Sequence, residues 1–301
     1  MAISSIEATP RDLGLRRLMV ASSARNYSAL VSLGLLAPMV LLLAFSFLYP
    51  VGRLLIGSVF TPEFSLDRYA KLSAEPLFLR VLWRTFQTAF VVMVASLVLG
   101  YPVALAMAKL KGLWATVVAA CVLIPLWTSV LVRSYAWIVL LQRNGVVNTV
   151  LQDIGITSAP LRLIYTNGAV IMAMTHVLLP YMILPIFTAL RTIPDDLNRA
   201  AMNLGAGNWM VFLRITLPLS LPGVFAGAVM TFILSLGFYI TPALVGGPGT
   251  LMMATLIGQQ ATTLLDWPFA GALSAVLLAA TLLLIAVFHK VIAFNKGVSG
   301  V

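Results

Sequence analysis

Between Arg25 and Arg53 the chain carries no Asp, Glu, Lys or Arg, and five further charge-free windows follow: Arg84 to Lys109, Lys111 to Arg133, Arg162 to Arg191, Arg214 to Asp266 and Asp266 to Lys290. Each can hold the ~20 apolar residues that an α-helix needs to cross a bilayer. The residues are 61% hydrophobic and only 9% charged, with a mean hydropathy of +1.02. A soluble domain carries roughly 25% charge, so a water-soluble globule is excluded. The expected fold class is an all-α polytopic membrane protein with about six transmembrane helices, near 31–57, 85–108, 114–140, 168–190, 215–239 and 269–292. The long Arg214 to Asp266 window has room for two spans, but Pro242 and Gly246-Gly247-Pro248-Gly249 interrupt its second half. That half reads as a loop or re-entrant piece, packed at the outer mouth and shielded by protein or lining water.

The expected division is a tail over 1–30, a transmembrane domain over 31–293 containing a loop at 193–214, and a tail over 294–301. The first window is too long for a signal-peptide core and lacks a small-residue cleavage site, so it should stay attached as the first span. Lys and Arg recur in the N-terminal tail (Arg11, Arg16, Arg17, Arg25), at Lys109 and Lys111, at Arg191, Arg199 and Arg214, and at Lys290 and Lys296. The positive-inside rule puts these segments and both termini in the cytoplasm. The remaining linkers, 61–84 and 142–165, should then be extracytoplasmic; Glu63, Asp67, Glu75 and Asp153 dilute their basic charge.

A net charge of +10 invites a nucleic-acid reading. However, nucleic-acid proteins gather basic residues on one face, whereas these punctuate hydrophobic spans, as topology and headgroup contact require. The single Cys121 excludes an intramolecular disulfide and is expected to be a buried thiol. His176 and His289 fall in different spans, with no Cys/His set at metal spacing; His176 is expected to make a structural hydrogen bond. No Gly-x-x-x-x-Gly-Lys-Ser/Thr phosphate loop is present. The chain therefore shows no catalytic constellation and no cofactor site, and any ATP-driven work needs its nucleotide site on another subunit.

After the fourth window, Ile193-Pro194-Asp195-Asp196 is a helix start. Leu197, Ala200, Ala201 and Leu204 follow at i, i+3, i+4 and i+7 as one apolar face, with Asn198, Arg199 and Asn203 turned away. Gly205 is placed to end the helix. The expectation is a short cytoplasmic helix across the bundle's inner surface, either resting on headgroups or serving as a docking knob.

Arg199-Ala200-Ala201-Met202-Asn203-Leu204-Gly205, nine residues, then Ile215-Thr216-Leu217-Pro218 resembles the EAA-loop signature of bacterial ABC-importer permeases. The resemblance implies a type I importer-like bundle whose coupling helix seats in a groove of an ATP-hydrolysing subunit. Arg199, Ala200, Ala201, Asn203, Leu204 and Gly205 would carry that contact. Arg199 stands where the family has Glu, so the docking role carries over and the charge contact does not. Leu126-Trp127-Thr128-Ser129-Val130-Leu131-Val132-Arg133-Ser134-Tyr135-Ala136-Trp137, Tyr239-Ile240-Thr241-Pro242-Ala243-Leu244-Val245-Gly246-Gly247-Pro248 and Asp266-Trp267-Pro268 look like the PotB-like branch of the spermidine/putrescine permease group.

The resemblance implies a bacterial inner-membrane subunit working with a second permease, two cytoplasmic ATP-binding subunits holding ATP and Mg, and a periplasmic solute-binding protein, surrounded by membrane lipid. The implied cargo is polyamine-like. An opine, an amino-acid derivative, iron or another ion is the alternative cargo, and a stand-alone secondary transporter the alternative machine. Trp127, Arg133, Tyr135, Tyr239, Asp266 and Trp267 are the candidate pathway residues. Aromatic faces attract ammonium groups, and Asp266 is the acid nearest any span; Trp137, Tyr181 and Phe238 share the aromatic reading. Arg133 either faces a protein interior or water, or snorkels to the outer surface.

Overall fold

The computed structural model describes residues 29–60 and 63–298, of which 29, 30, 32 and 287–298 are described by backbone course alone. Apart from their helical edges, the tails expected over 1–30 and 294–301 lie outside the described residues, as do Thr61, Pro62 and the His289 side chain. The described residues are helical, with no strand beyond one β-bridge between Phe60 and Phe64. By contacts the chain divides between Leu54 and Leu55 into two compact units.

Helix α1 runs through Ala29–Leu43, a π turn at Ala44–Leu48 and Tyr49–Gly57, and is apolar around its circumference. Then come α2 (Asp67–Ala74), α3 (Pro76–Lys109), α4 (Leu113–Trp127), α5 (Val130–Leu141), α6 (Val146–Asp153), α7 (Asn167–Arg191) and α8 (Asp195–Asn203). Helix α9 joins Asn208–Val211, a π turn Phe212–Thr216 and Leu217–Leu236; α10 (Ile240–Val245), a 3-10 turn Pro248–Thr250, α11 (Met253–Thr262) and α12 (Trp267–Val298) complete the order.

Both π turns end two residues before a proline. Tyr49 and Leu217 donate five residues back to Ala44 and Phe212, and Pro50 and Pro218 follow. Proline has no N–H and its ring crowds the carbonyl four residues back, so the local widening carries the helix past it.

Among the described residues five helices are long and apolar enough to cross a membrane, and a sixth crossing exists if the pair Leu113–Trp127 and Val130–Asp153, bent by 104°, is one span. The continuous third span expected over 114–140 is therefore corrected. Pro125 lacks the N–H that would continue the ladder, and Ser129 caps a fresh start by accepting from the Leu131 N–H at 3.3 Å. The second span starts at Pro76 rather than near 85, and the linkers 61–84 and 142–165 contain α2 and α6. The interrupted half-window forms α10 and α11 around the 3-10 turn, as a re-entrant reading requires.

In the unit from Leu55 onward, α7 is the central helix. Val170, Ala173, Met174, Met182 and Ile186 are fully buried, among Val92, Ala104 and Met107 of α3 and Met252 before α11. The inward face of α3 sets the small or polar Thr85, Thr88, Ala89, Ser96, Gly100 and Ala104 among the larger Phe78, Val81, Val92 and Met107, while Phe90, Val98 and Leu99 point outward. In lipid the small inward residues permit close approach and the outward bulk meets acyl chains. Helix α9 uses Gly223 and Gly227 in the same way: a Cβ on Gly227 would stand 2.9 Å from the Met182 carbonyl oxygen, and one on Gly223 would stand 2.6 Å from that of Pro185. Cys121, expected to be buried, is an exposed free thiol on α4. It sits on the outward side of a helix whose one buried residue is Val122.

Candidate functional site

The candidate docking segment is α8. Pro194 is extended (φ −64°, ψ 132°) and starts it, and Asp195 and Asp196 place negative charge in the first turn, where the helix dipole favours it. At its end Gly205 donates to the Met202 carbonyl at 2.9 Å and Ala206 to that of Ala201 at 3.0 Å. That double bond is the Schellman arrangement, and Gly205 supplies the positive φ it requires, +86°. A Cβ on Gly205 would meet nothing within 4 Å, so its glycine serves conformation rather than space.

No residue of α8 is buried. Its apolar face, expected either to rest on headgroups or to serve as a docking knob, is left free by the bundle. Leu197 is 45% and Leu204 90% exposed, Ala200 is exposed, and it is Asn198 and Ala201 that turn inward. Arg199 and Asn203 are exposed with them. The bundle leaves the hydrophobic side of this helix outside its own packing.

The segment joins a stiff element. Trp209 stacks on Phe212 at 5.6 Å, Phe212 meets Tyr101 edge-on at 5.9 Å, and the Tyr101 hydroxyl lies 2.9 Å from that of Ser220. Thr216, in the second half of the signature, is buried in the π turn. These contacts tie the start of α9, which follows α8, to α3.

The other two motifs meet each other. The hydroxyls of Ser134 on α5 and Thr241 on α10 are 2.9 Å apart and both residues are fully buried. Around them Leu141, Ile164, Ala169, Ala173 and Val245 form one cluster with Trp137 and Leu244 against it. Tyr165, at a left-handed φ of 62°, donates to the Val245 carbonyl at 3.1 Å, and its backbone lies where a Gly247 Cβ would be. The Gly-Gly-Pro-Gly stretch is thus packed: Gly246 has no room for a Cβ beside the Pro242 carbonyl. Thr85 of α3 accepts from the Met253 N–H at 2.8 Å and so caps α11 from another helix.

The candidate pathway residues occupy different settings. Tyr239 lines a cavity of about 350 Å3 with Pro242, Gly246, Gly247, Thr255 and Gln259, its ring lying where a Cβ on Gly258 would be. Trp127 is 88%, Trp267 58% and Tyr135 57% exposed. Asp266 accepts from the Phe269 N–H at 3.0 Å and is the N-cap of α12. Arg133 donates to the carbonyls of Val177 at 3.5 Å and Thr128 at 3.4 Å. Trp137 donates its indole N–H to His176 Nδ1 at 3.1 Å with the rings edge to face, which gives His176 the structural hydrogen bond expected of it. Sequence reasoning passed over Ser134, Thr241, Thr85, Gly258, Gly223 and Gly227. The available signal was hydroxyls and glycines inside apolar spans, where each has a packing partner or none. Among the described residues no group of three or more His, Cys, Asp or Glu could hold a metal ion.

Comparison with known proteins places this geometry. Residues 96–294 match the family described as binding-protein-dependent transport system inner membrane component. The chain is 33% identical over 255 residues to the spermidine/putrescine transport system permease protein PotB of Haemophilus influenzae, covering 85% of this chain and 87% of that protein. It is 34% identical over 214 residues to the PotB of Escherichia coli, covering 71% and 78%. The fold is similar to a chain of a bacterial ABC transporter that imports the acidic polysaccharide alginate, with TM-score 0.73 at 18% identity over 95% of this chain and 98% of that one.

Proposed function

From the premise that this chain belongs to the family of binding-protein-dependent transport system inner membrane components, as a PotB-like ABC permease, we propose that it forms half of the translocation pathway of a polyamine importer. It pairs with a different second permease. Two cytoplasmic ATP-binding subunits, which hold ATP and Mg, dock beneath, and a periplasmic solute-binding protein docks above; both termini face the cytoplasm.

One observation carries this reading: the exposed α8, held at a set angle by the Gly205 turn and tied to the bundle through Trp209, Phe212 and Tyr101. Leu197, Ala200 and Leu204 seat in the ATP-binding subunit, whose closure moves α9 and alters which side of the bundle is open. The two states differ in their contacts, as any such coupling requires. That the PotB relatives serve spermidine/putrescine transport supports a polyamine cargo, and the Tyr239 cavity offers an aromatic ring and the Gln259 amide to an ammonium.

The test is solute-stimulated ATPase activity of the full assembly in lipid nanodiscs, with spermidine or putrescine presented on the binding protein. Gly205→Asn tolerates the left-handed φ and should keep stimulation within about two-fold. Gly205→Asp puts a charge at the docking edge and should lose most of it in an assembled complex. Equal stimulation in both variants overturns the docking role, and no response to polyamines overturns the cargo.

A further inference from the structure

Arg133 is a charge with no counterion among the described residues. Its guanidinium makes two long bonds to the carbonyls of Thr128 and Val177, and its Nε is buried without a partner. Among the described residues no carboxylate lies within ion-pair distance of it. Nor do the apolar spans contain an Asp or Glu to reach it by rearrangement, and Asp266 is engaged in capping α12. A cation at such depth normally faces an anion or water. The two carbonyls take one N–H from each terminal nitrogen and leave one on each for an anion such as a carboxylate.

Near the residues that hold this charge lies an apolar groove. Val103, Val117, Val118, Cys121, Pro125 and Ile183 line a cleft of about 310 Å3 that also touches His176, next to Val177 in sequence, and Pro125, three residues before Thr128. Trp127, Val132 and Tyr135 stand exposed beside Arg133. An apolar helix laid in such a groove, with one acidic residue at its end, satisfies both features at once.

We propose that Arg133 and this groove form the contact to the second permease subunit, and that a carboxylate on a membrane helix of that different chain pairs with the guanidinium. The proposal rests on the two-permease reading above. A second copy of this chain does not fit, because its spans carry no acid to offer. Arg133 is then neither a pathway residue nor a snorkelling one but the polar key of an interface.

The experiment purifies the tagged chain co-expressed with a second permease from the same organism into nanodiscs. Arg133→Glu should lower the co-purified permease about ten-fold or more, since a buried charge pair turned to repulsion costs well over 1.4 kcal/mol. Arg133→Lys should retain part of it. A reciprocal Asp or Glu→Arg change in a membrane helix of the partner should restore pairing to Arg133→Glu. The fold is checked on the variant alone by its gel-filtration profile. Independently, the Cys121 thiol of the unchanged chain should react with N-ethylmaleimide at least several-fold more slowly in the pair than alone.

Equal reactivity of Cys121 in both states, or full pairing by Arg133→Glu, overturns the proposal. So does loss of bound anionic phospholipid by Arg133→Gln, seen in native mass spectrometry with pairing intact, which makes the site a lipid site. Self-association of the chain through this face overturns it in favour of a second copy. If wild type captures no second permease under any condition, the two-permease reading itself fails.

Discussion

At the scale of single residues, some hydroxyls inside the apolar helices pair across helices, as Ser134 does with Thr241, while others, such as that of Ser96, are buried without a partner. The Ser134–Thr241 pair joins the two motifs that resemble the polyamine permeases. A membrane hydrogen bond of this kind contributes about 0.6 kcal/mol and at most about 1.7. Ser134→Ala and Thr241→Val should therefore couple by about 1 kcal/mol in a double-mutant cycle of detergent unfolding. Strict additivity would show that the pair stabilises nothing. Asp266 poses the same question for a charge. Asparagine caps a helix as well as aspartate does, so Asp266→Asn should keep both stability and transport close to wild type. A large fall in transport with unchanged stability would mean that the negative charge acts on the cargo and that capping is incidental.

Elements show where proline and glycine direct the helices. Pro50 and Pro218 each follow a π turn, and Pro125 marks the break between α4 and α5. The closest helix approach is built on Gly223 and Gly227, which receive the backbone of α7. Gly227→Leu has no space beside Met182 and should destabilise the bundle by about 3 kcal/mol, the upper part of the overpacking range. Gly205→Leu, placed in open space, should leave thermal stability within about 1–2 kcal/mol while straining the turn. Melting curves of the two proteins separate these cases, and equal losses would contradict the distinction between packing glycine and turn glycine. Helix α8 was legible beforehand in its start, periodicity and stop. The side that faces away from the bundle was not, because an apolar stripe says that something covers it without saying what.

For the whole molecule, net positive charge, acid-poor spans and an uncovered apolar helix describe a subunit rather than a self-sufficient carrier. Leu204→Cys in a Cys121→Ala background should react with a membrane-impermeant maleimide only from the cytoplasmic side. Assembly with the ATP-binding subunit should protect it. Labelling from the opposite side would reverse the proposed orientation, and unprotected labelling would remove α8 from the interface.

Charge-free windows and their lengths were enough to specify a polytopic helical membrane protein, because lipid requires every backbone polar group to be satisfied within the span. The spacing around Arg199 to Gly205 was likewise enough to locate a helix with a glycine stop, since left-handed φ has few occupants. Tertiary structure alone decided which hydroxyls and glycines face one another. It also decided that the third span breaks after Trp127, that Asp266 is a cap, and that no carboxylate among the described residues pairs with Arg133. The hydroxyl pairings depend on contacts between residues more than a hundred positions apart, such as Ser134 with Thr241 and Thr85 with Met253. Hydropathy carries no record of such pairings, because in lipid the inward and outward faces of a helix are both apolar and differ only in the size and hydrogen-bonding of their side chains.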